Sequence, residues 1–216
     1  MKRKLLCIII MLAMLCTGII TTPALAEDMN ISGQPSAWAK DSVNAAIDEG
    51  FVPQGLQSNY TQPLTRAEFC ALIVAFYETV TGGKISGLVG FDDTADINVE
   101  KAAPIGVALG TGDNKFNPGA NLNRQQAAVM LSRLADAIEK PLPDAYVYEI
   151  FSNYDEIAQW AWSAVGGVYI AGIMQGVGGG AFAPLNPCTR EQCIVAIMRL
   201  YKDYDVLYKD EYLTKH

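Results

Sequence analysis

The chain has 216 residues and a formal charge of −7 at neutral pH, and half of its residues are apolar. It is long enough for one or two domains with a hydrophobic core. Because general nucleic-acid binding depends on lysine and arginine neutralising phosphates, so acidic a chain is not expected to bind nucleic acid. The one histidine is His216, so we expect neither histidine-dependent catalysis nor a histidine-ligated metal site.

Residues 1–26 have the layout of a secretory signal peptide. Three basic residues open the segment, an apolar run follows to about residue 20, and an A-x-A cleavage motif ends at Ala26. A membrane anchor is the alternative, but the run is shorter than the roughly 20 residues of a spanning helix. Cleavage removes three positive charges and would leave a processed chain of charge −10, which should not adhere to anionic membranes.

Three later segments begin in the same way. A capping residue is followed by an arginine and, three residues after the cap, by Glu or Gln, which is the spacing of a capping box. Apolar residues then recur at helical intervals, so we predict three long helices. Their starts are Thr65-Arg66-Ala67-Glu68, Asn123-Arg124-Gln125-Gln126 and Thr189-Arg190-Glu191-Gln192.

A short helical pattern and a turn-rich loop precede each long helix, and the second short helix is predicted over residues 99–109. A helix pair of this size cannot bury its apolar face alone. We therefore predict an all-α fold of three helix-loop-helix units that close around a common axis, with the long helices inside. The predicted units are residues 27–84, 85–145 and 146–203, and a tail at 204–216 extends the last helix.

Three cysteines remain after signal cleavage, namely Cys70, Cys188 and Cys193. An odd number does not form a complete disulfide framework. Two interpretations stay open: all three are small buried hydrophobic residues, or Cys70 and Cys193 form a bridge while Cys188 is free. The spacing of Cys188 and Cys193 matches no common metal site, and we predict no metal, no cofactor and no catalytic residues.

The repeated motifs resemble the S-layer homology domain. The resemblance covers nearly the whole processed chain as three tandem copies. The motifs that carry it are Phe91-Asp92-Asp93, Trp38-Ala39, Trp160-Ala161, Ala171-Gly172-Ile173, Gly180-Ala181-Phe182-Ala183-Pro184, Thr65-Arg66-Ala67-Glu68 and Thr189-Arg190-Glu191.

This resemblance implies a pseudo-threefold helical bundle that binds secondary cell-wall polysaccharide, often pyruvylated. Such modules hold exported proteins on the surface of Gram-positive-type bacteria. The motif arginine contacts the polymer in that family, and it maps here to Arg66, Arg124 and Arg190. The motif aspartate maps to Asp93.

Four aromatic side chains are candidates for stacking on sugar rings. Each has core packing as its alternative role. They are Trp38, Trp160, Phe116 and Phe182.

The three arginines also suggest an anionic ligand on physical grounds. An arginine in the first helical turn lies at the positive end of the helix dipole, so its repetition favours a compensating anion. Free backbone N–H groups at a helix start bind anions, and an arginine fork adds bidentate recognition of a carboxylate. We therefore predict a carboxylate-bearing sugar at these helix starts. The alternative is that each arginine is a solvated residue at the beginning of a helix.

Each unit departs from the family pattern. The first has no Phe-x-Asp before Trp38, the second lacks the tryptophan, and the third has Asn153 where aspartate is expected. One interpretation is that only one or two grooves bind polymer, or that the ligand differs from that of the family. The other is a structural module without glycan binding, whose partner is another surface protein.

Overall fold

A computed structural model describes residues 33–213, with side chains described to residue 202. The predicted signal peptide therefore lies outside the described residues. The chain order of helices is α1 Lys40–Asp48, α2 Arg66–Thr81, α3 Ile97–Ala102, α4 Arg124–Ala137, α5 Val147–Ile150, α6 Trp162–Ile170 and α7 Arg190–Leu213. Short 3₁₀ turns lie at Gln54–Leu56, Tyr154–Glu156 and Gln159–Ala161. Within residues 33–213 there are isolated β-bridges but no strand, which confirms the all-α prediction.

The three long helices begin where the capping pattern predicts. In α2 the Thr65 hydroxyl accepts the Glu68 N–H at 3.2 Å, and the Glu68 carboxylate accepts the Thr65 N–H at 2.8 Å. The same reciprocal pair of hydrogen bonds opens α4 and α7. Because two otherwise unpaired N–H groups are satisfied at each start, the local sequence alone fixes where these helices begin.

A closed ring of backbone hydrogen bonds joins the residues that precede the three caps. The Leu64 N–H donates to the Cys188 carbonyl at 2.9 Å, and the Cys188 N–H donates to Leu122 at 2.8 Å. The Leu122 N–H closes the ring by donating to Leu64 at 2.8 Å. Three equivalent bonds in a cycle define a pseudo-threefold axis, around which the units close as predicted.

Each short helix packs mainly against the long helix of the preceding unit. Thus α3 lies on α2, α6 lies on α4, and α1 of the first unit closes the circle on α7. This differs from the helix pair within each unit that the sequence predicts. A single buried core runs through all three units, so removal of one unit would expose apolar faces on both neighbours.

The α3 helix ends at Ala102, well before the predicted end at residue 109. Its first turn is capped by Asp96, whose carboxylate accepts the Asn98 N–H at 2.8 Å. Pro104 follows and has no N–H to continue the helical pattern. Gly106 then adopts a left-handed φ of 79° and turns the chain into the loop.

The longest helix, α7, extends to Leu213 and so includes residues 204–213 of the predicted tail. Among the described residues, no helix combines the length and the apolar character required to cross a membrane.

Candidate functional site

Arg66 and Arg124 are buried between units, each with 7% of its surface exposed. The Arg66 Nε donates to the Phe116 carbonyl at 2.9 Å, and its Nη2 donates to Leu109 at 3.2 Å. Its guanidinium carbon lies 4.3 Å from the centre of the Phe116 ring. Arg124 repeats this arrangement: its Nε donates to the Phe182 carbonyl at 2.8 Å, and its guanidinium carbon lies 4.6 Å from the centre of the Phe182 ring. Burial lowers the pKa of both guanidinium groups, yet arginine remains charged in proteins.

Arg190 is equally buried but has different partners. Its Nη1 donates to the Ser58 carbonyl at 2.6 Å, and its Nη2 forms a 2.7 Å ion pair with Glu68. Ser58 occupies the loop position of Phe116 and Phe182, and no ring of the described residues lies under this guanidinium as in the other two units. The Arg190 Nε is buried and has no hydrogen-bond partner among the described residues.

The helix starts themselves offer no free anion site in their first two residues. The Arg66 N–H donates to the Ala120 carbonyl in the loop of the next unit at 3.0 Å. The first N–H groups of α4 and α7 donate to the equivalent loop carbonyls, those of Asn186 and Gln62, at 3.0 and 2.9 Å. The second N–H of each helix donates to a carbonyl two residues earlier in that loop. The prediction of a ligand held by backbone N–H groups here is therefore wrong, because neighbouring loops occupy those donors.

Asp93 supports the loop that carries Phe116. Its two carboxylate oxygens accept the N–H groups of Phe116 and Asn117, each at 2.8 Å. These hydrogen bonds lower the pKa of Asp93, so the carboxylate is ionised at neutral pH. Asn153 makes one matching contact in the third unit, to the Phe182 N–H at 3.0 Å. In the described part of the chain, no cluster of three or more His, Cys, Asp or Glu side chains is arranged to hold a metal.

The predicted aromatic residues divide into two groups. Phe116 and Phe182 are fully buried, so the suggestion that they stack on sugar is wrong. They pack against neighbouring phenylalanine rings and under the arginines. Trp38 and Trp160 are 57% and 61% exposed, so core packing does not account for them.

Residues from all three units line a groove of about 450 Å³ beside Arg66. This Arg66 groove has Arg66 from the first unit, Arg133 from the second and Trp160 from the third. Gln126 adds a polar amide. Of the described residues that line it, none is acidic.

A second groove of about 260 Å³ lies beside Arg124. This Arg124 groove combines Arg124, Arg199 and Trp38, again from three different units. Its described lining also contains no acidic side chain. The Arg199 Nη1 donates to the Ile173 carbonyl at 3.2 Å, which holds that side chain along the wall.

Two buried polar side chains position the tryptophans. Behind the Trp160 segment, Gln125 accepts the N–H of Ala158, two residues before the tryptophan, at 2.9 Å. Behind the Trp38 segment, and outside the lining of the Arg124 groove, Glu191 accepts the N–H and the hydroxyl of Ser36, also two residues before the tryptophan, at 2.9 and 2.8 Å. The second helical residue of α4 and of α7 therefore anchors the segment that presents each exposed ring.

The sequence interpretation missed Arg133 and Arg199. Each lies nine residues after the motif arginine of its own helix, and this shared spacing was the available signal. Each contributes to the groove of the preceding unit's arginine, because the units interlock. The two arginines of each groove therefore come from two different units.

The matching positions around Arg190 lack both features. Nine residues after Arg66, the first unit has Ala75 in place of the second arginine. The tryptophan lies eight residues before the last buried residue of the short helix, and the second unit has Thr94 at that position. Arg190 is instead paired with Glu68.

Comparison with known proteins gives two findings. A family model described as the S-layer homology domain matches residues 92–128 and 151–193. A protein named endoglucanase from Bacillus sp. (strain KSM-635) is 26% identical over 154 residues. That alignment covers 70% of this chain and 16% of the endoglucanase, so the chain is similar to a small part of a longer protein.

Proposed function

Because the chain carries S-layer homology segments, we propose that it is a non-catalytic cell-surface module that binds a carboxylate-bearing secondary cell-wall polysaccharide. S-layer homology domains are anchoring modules that attach to cell-wall polymers. The proposed ligand class is a pyruvylated or uronate-containing polymer. The proposed location is the surface of a Gram-positive-type bacterium, reached after cleavage of residues 1–26.

The observation that carries the proposal is the composition of the two grooves. In a chain with a net charge of −7, each groove gathers two arginines and an exposed tryptophan with no acidic residue among its described lining. Such a local positive site attracts an anion against the overall field of the protein. Each groove therefore has an attractive charge and an apolar stacking surface side by side.

The side chains fit an acidic sugar. A guanidinium fork binds a carboxylate through two parallel hydrogen bonds, which fixes the orientation of the ligand as well as its charge. The exposed rings of Trp38 and Trp160 offer a flat surface to the apolar face of a sugar. In this proposal Arg133 and Arg199 make the principal contacts, while Arg66 and Arg124 form the groove floor.

Arg190 has a structural role in this proposal. Its ion pair with Glu68 joins the third unit to the first, and its surroundings lack the second arginine and the tryptophan. The protein would then bind polymer at two of its three pseudo-equivalent positions. Asp93 acts through the loop it supports, without contacting the polymer.

A structural or protein-interaction module is the second candidate. It is favoured by the burial of all three motif arginines, each of which bonds a loop of another unit. The partner would then be another surface protein. The endoglucanase match covers 16% of that enzyme and gives no ground for assigning its activity to this chain.

Co-sedimentation with purified cell walls tests the proposal. We expect the processed chain, starting near Glu27, to sediment with intact walls and to stay in solution with walls stripped of their secondary polymer. Circular dichroism of the unbound protein verifies that it is folded. Folded protein that stays in solution with both preparations would contradict polymer binding and favour the second candidate.

A further inference from the structure

Two cysteines occupy paired positions at the start of α7. Cys188 directly precedes the capping Thr189, and Cys193 is the fourth residue of the helix. In a hydrophobic staple, side chains at these two positions contact each other across the helix start. The matching positions of α2 hold Leu64 and Phe69, both fully buried. The third unit thus has a pair of thiols where the first has an apolar pair.

The two thiols are in contact and almost fully buried. The Cys193 thiol donates a hydrogen bond to the Cys188 sulfur, and the residues are 2% and 1% exposed. That hydrogen bond, aided by the charge of Arg124, lowers the pKa of Cys188. Donation of that hydrogen bond, together with burial, raises the pKa of Cys193 well above its usual range, and burial raises the pKa of Cys70 to about 12. The contact therefore selects one pair from the three cysteines.

The Arg124 groove gives this pair a route to solvent. Both cysteines line that groove beside Arg124. The backbone of Cys188 is held in the hydrogen-bond ring at the pseudo-threefold axis, and the Cys193 N–H donates to the Thr189 carbonyl at 3.1 Å. These bonds hold both backbones in place beside the groove.

We propose that Cys188 and Cys193 form a disulfide that fastens the start of α7 when the protein is outside the cell. The inference rests on the proposed function only for this location, because extracellular surroundings are where disulfides form and persist. In the structure Cys70, Cys188 and Cys193 are buried free thiols, so the Cys70–Cys193 bridge that the sequence left open is not formed.

A low-molecular-weight disulfide serves as the oxidant and accepts the two electrons that the protein thiols lose. The Cys188 thiolate attacks one sulfur of the oxidant and releases the first small thiol, leaving a mixed disulfide on the protein. Cys193 then loses its proton to solvent, and its thiolate attacks the Cys188 sulfur and releases the second small thiol. Two protein thiols are oxidised and one external disulfide is reduced.

Refolding in a glutathione redox buffer tests the pairing independently of polymer binding. We expect the denatured, oxidised chain, which has three cysteines after signal cleavage, to retain one thiol that reacts with Ellman's reagent. Trypsin cleaves after Arg190, between the paired cysteines. Mass spectrometry should therefore find the fragment that ends at Arg190 joined to residues 191–199 until a reductant separates them.

Two variants serve as controls. Cys70→Ser should keep the linked fragments and retain no thiol, whereas Cys193→Ser should abolish the link. Reduction should lower the Tm of the wild-type protein by about 4–8 °C, as expected for a short cross-linked loop in a chain of this size. Three reactive thiols after oxidation, or a link that includes Cys70, would overturn the proposal.

Discussion

Arg66→Ala and Arg124→Ala should each lower the free energy of unfolding by about 2–4 kcal/mol. Each truncation leaves buried carbonyl groups without their charged donor and removes the cation above a buried phenylalanine ring. Because these contacts join different units, the loss affects the closed bundle as a whole. Urea denaturation of the processed chain, followed by circular dichroism, measures the change.

Arg190→Ala is the matched control for this prediction. Arg190 has the same burial, but in the described part of the chain no ring lies under it and its Nε has no hydrogen-bond partner. Its removal therefore also removes a buried donor whose desolvation is not compensated. We expect a smaller loss of about 1–2 kcal/mol, because one carbonyl, that of Ser58, loses its charged donor and the ion pair with Glu68 is partly solvent-exposed. Equal losses at all three positions, or none at Arg66 and Arg124, would contradict the structural difference between these sites.

The double replacement Arg133→Gln with Arg199→Gln should weaken polymer binding about tenfold to a hundredfold at each groove while leaving the protein folded. Both side chains are half-buried in their grooves, and no ion pair is seen for either among the described residues. A lost charge-assisted hydrogen bond is worth about 1.5–3 kcal/mol, or about tenfold to a hundredfold for each groove. Co-sedimentation at graded wall concentrations measures the affinity.

Lys40→Gln with Lys84→Gln provides a control of equal charge. Lys40 and Lys84 are exposed and line neither groove, so this variant changes net charge as much as the groove variant does. We expect it to sediment like the wild type. Equal weakening by both double variants would show that binding depends on overall charge, and that the grooves are not the binding sites.

The fold was largely predictable because its boundaries are encoded locally. The caps Thr65, Asn123 and Thr189 fix three helix starts through side chains only three residues away. Gly82 ends α2 in the left-handed conformation expected of a glycine at that position. Repetition of this pattern then indicated three similar units around one axis.

The grooves were not predictable in the same way, because each is assembled from residues far apart in the chain. Arg66 faces Arg133 and Trp160 only because each short helix packs on the long helix of the preceding unit. No pattern within the sequence of one unit specifies that its short helix packs on the preceding unit. The sequence therefore identified one arginine and one tryptophan for each groove without showing which of them meet.

The prediction about the helix starts failed for a related reason. The dipole argument treats Arg66 and the first N–H groups as solvated. In the bundle, the loop that brings Phe116 under Arg66 also brings the carbonyl of Ala120 to the Arg66 N–H. The compensating negative charge is thus supplied by backbone carbonyl dipoles of the next unit.

The number of polymer sites per chain tests the two-groove arrangement most directly. Isothermal titration of the processed protein with purified polymer fragments of one repeat length would measure it. We expect two sites per chain, one site in Arg133→Gln, one in Arg199→Gln, and none in the double variant. Three sites, or a number that these replacements leave unchanged, would contradict the arrangement.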